Sequence, residues 1–218
     1  IYARPHVGNF RTFIFQYILV RYLRYLGYNV TRAMNLTDVE DKAIKRAEKE
    51  GITVRELTER NEMRLWSEWD RLGMERPDKV PRSSRSIEYS IRLIKLLLER
   101  KIAYFDENDV FYDPKRFKGF GRLFGIDMSR WPKNPKKFRK DTYPGVQWNM
   151  GDFILWHGCS EKERVCWDEE LGSGRPSWNV QDPAMCWESL GTEIDIWMGG
   201  WDNLWRQHSY KIAVMEGA

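Results

Sequence analysis

The chain has 218 residues, of which 42% are hydrophobic and 14% aromatic, enough to bury a sizeable core in one or two domains. Its 36 basic and 32 acidic residues give a net charge of +4, which permits a nucleic-acid partner without requiring one. No apolar run is long enough to cross a membrane, so we expect no membrane partner.

The three cysteines, Cys159, Cys166 and Cys186, are an odd set without the paired spacing of a metal site. We therefore expect reduced thiols and a cytoplasmic protein rather than a disulfide framework. The sequence starts with Ile, inside a strand-like segment, and we expect further residues to precede it.

The chain opens with a pattern typical of a phosphate site. Residues 1–3 are typical of the end of a short buried strand and residues 6–9 of a tight turn, after which a helix begins. The start of a helix presents N–H groups to a phosphate, Gly8 permits close approach, and His6 and Asn9 can donate hydrogen bonds. A purely structural interpretation is also open, in which the His6 side chain only makes hydrogen bonds within its own turn and Asn9 only caps the helix.

A parallel strand pair is predicted next. Gly27 is the predicted stop of the first helix, and residues 28–34 are predicted to form a second strand. Strand, helix and strand within so short a span imply a right-handed crossover connection.

Three further helices are predicted from capping signals and periodicity. Thr37 and Glu40 have the spacing of a capping box, so a helix should begin there. Thr53 and Glu56 repeat that spacing for the next helix. Residues 85–100 place apolar side chains on one face of another helix.

The character of the sequence changes after residue 101. Residues 102–105 and 109–112 predict a β-hairpin, and residues 114–149 are basic, aromatic and rich in turns. This stretch could contact a phosphate backbone, or it could form only a solvated surface. Its basic residues are Lys133, Lys136, Lys137, Arg139 and Lys140.

We interpret this change as an insertion into a nucleotide-binding sheet. Residues 1–101 would be the first half of an α/β nucleotide-binding domain with helical segments. Residues 102–170 would be a connective insertion, and residues 171–218 the second half of the same domain.

Three more elements are predicted in the last third of the chain. Residues 153–156 are apolar and predict a short buried strand. Residues 172–177 predict a loop that leads into a helix over 178–190, and residues 193–197 predict another strand. Gly199, Gly200 and Asp202 follow that strand. Two glycines let a backbone approach a nucleoside closely, and a carboxylate accepts hydrogen bonds from ribose hydroxyls.

Five segments together resemble a known family. They are HVGNFRT at 6–12, YLRYLGYNVT at 22–31, NLTDVEDK at 35–42, GRPSW at 174–178 and GGWD at 199–202. In this order they resemble the class I aminoacyl-tRNA synthetase catalytic domain of the cysteinyl-tRNA synthetases, from end to end of the chain. The resemblance implies a Rossmann-like parallel sheet with a HIGH-type nucleotide-binding motif, split by a connective insertion.

The same resemblance implies ATP-dependent activation of an amino acid. A carboxylate would attack the α-phosphate of ATP and give an aminoacyl-adenylate and pyrophosphate, with Mg²⁺ accompanying the ATP. The amino acid would then pass to tRNA. Such chemistry depends on positioning and charge stabilisation more than on a covalent nucleophile.

Several positions match the family's functional residues. The resemblance implies catalytic, phosphate-binding roles for His6 and Asn9. It implies nucleotide-binding roles for Gly8, Gly199, Gly200 and Asp202. Trp178 matches the aromatic wall of the amino-acid pocket.

The family's zinc site is not matched. The resemblance implies zinc held by two Cys, one His and one Glu, with one of the cysteines before Ile1. The other three positions are Asp182, Gln207 and Lys211 here. Gln is a poor zinc ligand and Lys a cation, so zinc is not expected. A histidine usual at the end of the preceding strand is Trp197, which reshapes the pocket.

The substituted positions allow two interpretations. Asp182 and Lys211 could form an ion pair that keeps the fold intact, or they could bind a different substrate, Asp182 facing an amine or Lys211 an acid. His208 neighbours these positions and could contact the substrate directly or support a residue that does. The substrate-binding candidates are Trp178, Asp182, Trp197, Gln207, His208 and Lys211.

The leading hypothesis is an amino-acid-activating ligase of the cysteinyl-tRNA synthetase type, as a divergent paralogue. One alternative keeps the adenylate but passes the amino acid to a small amine or peptide. Another is a binder of nucleotide or amino acid without turnover. The class's lysine-rich pyrophosphate loop and an anticodon-binding domain do not occur in these 218 residues, so the acceptor stays open.

Overall fold

A computed structural model describes residues 1–140, 150–160 and 165–218, apart from the side chains of Phe124, Asp202, Trp205 and Arg206. The α-helices are α1 (Val7–Tyr25), α2 (Asp41–Glu50), α3 (Val54–Arg71), α4 (Ile87–Glu99), α5 (Trp178–Leu190) and α6 (Ser209–Gly217). The strands are β1 (Ala103–Asp106), β2 (Asp109–Tyr112), β3 (Lys136–Phe138), β4 (Gly151–Gly158), β5 (Trp167–Glu169) and β6 (Gly172–Pro176). Short 3₁₀ turns cover Pro114–Arg116, Arg122–Phe124, Met128–Arg130 and Trp201–Asn203, and a π-helix covers Leu204–His208.

The described strands form one sheet, so the fold is mixed α/β. The strand order is β1-β2-β4-β6-β5, with β3 beside β4, and every pairing except β3 with β4 is antiparallel. Strand β4 pairs with β2, β3 and β6, and its residues 151–157 are all buried, which confirms the strand predicted at 153–156. The segment predicted as a loop before α5 is strand β6 instead.

The prediction of a parallel sheet does not describe this sheet. Residues 1–3 and 193–197 are irregular rather than strands. Residues 28–34 contribute one isolated parallel bridge, Ala33 with Lys79, and a second joins Leu36 to Arg82 just after this segment. A parallel strand needs a continuous ladder to a neighbour, and among the described residues this segment pairs only with the stretch around residue 80.

Most helix predictions are confirmed, although α1 begins at Val7, inside the turn predicted at 6–9, and α2 begins later than predicted. Thr53 and Glu56 form both hydrogen bonds of the capping box that begins α3. Helix α2, in contrast, begins at Asp41 without a side-chain cap, and not at the Thr37 position. The intervening N–H groups of Asp38 and Val39 donate to the hydroxyl of Ser83, which holds this segment extended.

Two hydrophobic clusters hold the described residues together. The larger one joins the sheet to α4, α5 and α6 and includes Leu97, Phe153 and Val214. The smaller one joins α1 to α3 and includes Phe10 and Trp69. The second half of the chain therefore packs mainly on the sheet, whereas α1 packs on α3.

The predicted hairpin and its basic neighbour are ion-paired. Strands β1 and β2 confirm the hairpin. Lys137 and Arg139 pair with Asp106, and Arg139 also pairs with Asp109, both acids lying at the hairpin turn. These two cations are thus largely neutralised within the protein, while residues 141–149 of the same basic stretch lie outside the described residues.

The expectation of unpaired cysteines is wrong for two of the three. Cys159 and Cys166 form a disulfide, with their Cα atoms 6.2 Å apart, and Cys186 is free. Strands β4 and β5 both pair with β6, which brings the end of one close to the start of the other. The sequence spacing did not reveal this pairing because it depends on the register of three strands.

Candidate active site

A cleft of about 760 Å³ separates the start of α1 from α5 and the loop before α6. Ten of the twelve predicted site residues line it. The exceptions are Gln207, which is buried and not part of the lining, and Asp202, whose side chain lies outside the described part of the chain. Segments almost two hundred residues apart thus meet at one site.

The start of α1 forms one wall of the cleft. His6 is the N-cap residue: its Nδ1 accepts a hydrogen bond from the Gly8 N–H at 3.1 Å. The Asn9 Oδ1 accepts from the His6 N–H at 3.0 Å, which completes a capping box. Both side chains are exposed on the cleft, and their hydrogen bonds to backbone N–H groups hold them in position.

This capping decides which atoms face outward. Because Nδ1 of His6 accepts a hydrogen bond, the ring proton is on Nε2, which is left as a donor. Because Oδ1 of Asn9 accepts, its amide nitrogen keeps two donors. A Cβ on Gly8 would lie 3.0 Å from the His6 ring, so glycine leaves room for the ring to fold over the helix start. The capping role and a phosphate-binding role are therefore compatible.

The opposite wall carries a buried ion pair. Lys211 Nζ lies 2.5 Å from Asp182 Oδ2, and the side chains are 11% and 6% exposed. Asn35 donates from Nδ2 to the other carboxylate oxygen at 2.7 Å. Of the two interpretations of these substituted positions, the ion pair is confirmed by this contact, while substrate binding stays a prediction.

Aromatic side chains border the pair. The Lys211 Nζ lies 5.6 Å from the centre of the Trp197 ring, within the range of a cation–π contact. Trp197 is exposed, and Trp178 is half-buried at the start of α5. Both line the cleft, so the ion pair lies beside two indole surfaces.

Cys186 and Asn35 also line the cleft, and we did not identify either of them from the sequence. Cys186 lies one helical turn after Asp182 on α5, a spacing that could have revealed it. Burial, and the Asp182 carboxylate, raise the pKa of this thiol to about 11, against a smaller opposing effect of Lys211. Asn35 has no local signal, because its partner Asp182 is 147 residues away.

The Gly199 position is explained by packing. A Cβ added to Gly199 would lie 2.4 Å from Cε1 and 2.6 Å from Nε2 of His208. The His208 ring therefore rests against the Gly199 backbone, at the end of the π-helix Leu204–His208. π-Helical turns are rare in proteins overall, but those that occur are often found at functional sites. The sequence predicted that a nucleoside approaches Gly199 closely. Such a nucleoside would have to fit beside the His208 imidazole.

The donor set of the cleft does not suit zinc. Among residues 1–140, 150–160 and 165–218, no three His, Cys, Asp or Glu side chains lie together as a metal site would require. At the positions where the family resemblance implies zinc ligands, the Lys211 ammonium pairs with the Asp182 carboxylate, so this carboxylate is not available to a metal ion.

Buried contacts tie the two halves of the cleft together. Gln181 on α5 donates to the carbonyl of Val39, and Arg175 on β6 pairs with Asp41 at the start of α2. These contacts fix α5 and β6 relative to the start of α2 and the segment before it. They were not predicted, because each joins residues more than 130 positions apart.

Comparison with known proteins identifies the family of this chain. A family model described as "tRNA synthetases class I (C) catalytic domain" matches residues 1–218. The chain belongs to this family. Proteins named cysteine–tRNA ligase from Borreliella afzelii, Chlamydia pneumoniae and Vibrio cholerae are 35%, 36% and 37% identical to it.

These alignments cover 98–99% of the chain but only 46–47% of each relative. The chain thus spans about half the length of the curated relatives it matches. The class I synthetase family is shown by the match, while the substrates and acceptor of this member are separate questions. Among the described residues, no helix is both long and apolar enough to span a membrane.

Proposed function

We propose that this class I synthetase-family chain activates an amino acid with ATP, forming an aminoacyl-adenylate. The observation that supports this most is the cleft itself, which has a helix start with outward N–H donors on one wall and a polar, aromatic pocket on the other. ATP phosphates would lie at the start of α1 and the amino-acid side chain near α5.

In the proposed reaction, an oxygen of the amino-acid carboxylate attacks the α-phosphorus of ATP. The bond from that phosphorus to the bridging oxygen of the β-phosphate breaks, and pyrophosphate leaves with the electron pair. His6 Nε2 and the Asn9 amide would donate to phosphate oxygens as negative charge moves toward pyrophosphate. Their capping bonds keep these donors oriented before ATP binds, which lowers the cost of reorganisation.

Several finer assignments belong to the same proposal. Gly200 and Asp202, with Gly199, would hold the ribose and adenine, and Mg²⁺ would enter with the ATP phosphates. The parallel bridges near residues 33–36 and 79–82 support a Rossmann-like unit with a HIGH-type motif at 6–9. The division into 1–101, 102–170 and 171–218, the absence of zinc and a cytoplasmic location stay predictions.

We propose tRNA as the acceptor, because the relatives are named as tRNA ligases. The products distinguish this proposal from the two alternatives. Charged tRNA would show transfer to tRNA, a modified amine or peptide would show transfer to a small acceptor, and unchanged ATP would show binding without turnover.

Amino-acid-dependent exchange of labelled pyrophosphate into ATP, on the full-length protein with a pool of the common amino acids, tests the proposal. Asn9→Asp keeps an oxygen that can accept from His6 and favours the helix start, but it places a negative charge against the phosphates. We expect its KM for ATP to rise at least tenfold. Asn108→Asp makes the same charge change at the exposed hairpin turn and should leave KM unchanged. Equal KM values for the two variants would rule out phosphate binding by Asn9.

A further inference from the structure

The hydrogen-bonding capacity that remains on Asp182 and Lys211 indicates which class of substrate side chain fits beside them. Both oxygens of Asp182 are engaged, one by Lys211 and the other by Asn35. Among the described residues, the Lys211 ammonium contacts Asp182 and the Trp197 ring, and it also acts electrostatically on the Cys186 thiol. An ammonium has three N–H donors and a carboxylate about four acceptor sites, so the pair can still bond an uncharged polar group, with Lys211 as its donor.

The charges of the pair cancel. A substrate side chain with a carboxylate would gain from Lys211 but would also lie next to the Asp182 carboxylate, and an amine would meet the opposite conflict. Each would have to leave water for a site without net charge, which is costly for an unpaired ion. A buried pair of this kind therefore disfavours charged side chains of either sign.

An apolar side chain is also a poor fit. It would cover the Lys211 donors without accepting a hydrogen bond from them, and a buried unsatisfied donor costs free energy. A thiol is only a weak acceptor, so it recovers little of this loss. A hydroxyl or carboxamide oxygen accepts fully and brings no charge.

We propose that the Asp182–Lys211 pair selects an amino acid whose side chain is uncharged and carries a hydrogen-bond-accepting oxygen. The Lys211 ammonium donates to that oxygen, and Asp182 with Asn35 holds the ammonium in place. Trp197, which contacts Lys211, and Trp178 provide apolar surface in the same cleft. This inference rests on the proposed function, because it assigns the amino acid that the adenylate reaction uses.

The test compares near-isosteric amino acids in pyrophosphate exchange on the full-length protein. The pairs are threonine with valine, asparagine with leucine, and serine with cysteine, with aspartate, glutamate and lysine as charged probes. We expect the best substrate to be an oxygen-bearing uncharged amino acid whose kcat/KM exceeds that of its partner by at least about 100-fold, as sites built to hydrogen-bond a substrate group typically achieve.

Variants then assign that preference to the pair. Lys211→Met should reduce the ratio within the preferred pair to about threefold or less. Because Met leaves Asp182 buried without its cation, the double variant Asp182→Asn with Lys211→Met keeps the test valid if the single variant fails to fold. Lys95→Met removes a surface lysine that pairs with Glu170 and should leave the ratio unchanged.

The possible outcomes distinguish a failure of side-chain selection by the ion pair from a failure of adenylate formation. Exchange that is best with cysteine, with an apolar or with a charged amino acid would overturn this inference and leave adenylate formation standing. A preference that survives in both Lys211 variants would also overturn it. No exchange with any amino acid would overturn the proposed function itself.

Discussion

Replacing Gly199 by alanine tests whether the position of His208 matters for the reaction. The added Cβ would lie 2.4 Å from His208 Cε1, whereas ordinary contacts begin near 3.4 Å, so the ring must move by at least 1 Å. Gly199 does not have a left-handed backbone, and the ring is at the end of a rotatable side chain, so little folding stability should be lost. A displacement of about 1 Å at a catalytic centre can reduce the rate about 100-fold. We expect a loss of this order in kcat/KM for pyrophosphate exchange.

A double-mutant cycle shows whether the ring is the cause. His208→Ala removes the atoms that the new Cβ would strike, so Gly199→Ala should add little to the loss already present in His208→Ala. Thermal unfolding of all three variants should show nearly unchanged midpoints. The reasoning fails if Gly199→Ala retains full activity. It also fails if the Gly199→Ala loss remains equally large without the imidazole.

Three other predictions concern stability and reactivity. Burial raises the pKa of Asp152, whose Oδ2 accepts a hydrogen bond from the Tyr104 hydroxyl. Asp152 therefore binds a proton more readily in the folded protein than in the unfolded chain. Because of this difference, folding stability falls as the pH rises from about 4 through the folded-state pKa. Asp152→Asn should flatten this fall and raise stability at pH 7 by on the order of 1 kcal/mol, measured by urea unfolding at several pH values; an unchanged profile would contradict the assignment. Cys186, with a pKa of about 11, should react with iodoacetamide at pH 7.5 roughly 100-fold more slowly than an ordinary exposed thiol, a rate that mass spectrometry can follow, and a normal rate would refute the raised pKa. Thr53→Ala should cost about 1 kcal/mol by removing the capping box with Glu56, whereas Thr53→Ser should cost much less; equal losses would show that the cap is not the source.

The sequence predicted elements whose signals are local. The capping box of Thr53 and Glu56 lies within four residues, and α3 begins where it indicates. Helix α5 matches the predicted 178–190, with Ser177 as its cap. The same local rule failed at Thr37, because the hydroxyl of the distant Ser83 takes the N–H groups that a helix start would use.

Longer-range features were harder to predict. The Cys159–Cys166 disulfide and the antiparallel sheet depend on strand register, which a single sequence does not determine. Most of the residues that line the candidate site were nevertheless named from the sequence. His6 lies in a segment that carries the family resemblance, and Lys211 lies at a position where the chain departs from the family pattern. Asn35 was missed because its role depends on one contact with Asp182 across the cleft.

The central claim is that the cleft joins ATP and an amino acid into an adenylate. The most direct measurement is to mix the full-length protein with ATP, Mg²⁺ and a pool of amino acids, quench the reaction, and analyse nucleotides by mass spectrometry. We expect an aminoacyl-adenylate, or AMP with pyrophosphate, only when both ATP and an amino acid are present. Bound but unchanged ATP, or ADP with phosphate from attack at the terminal phosphorus, would contradict it.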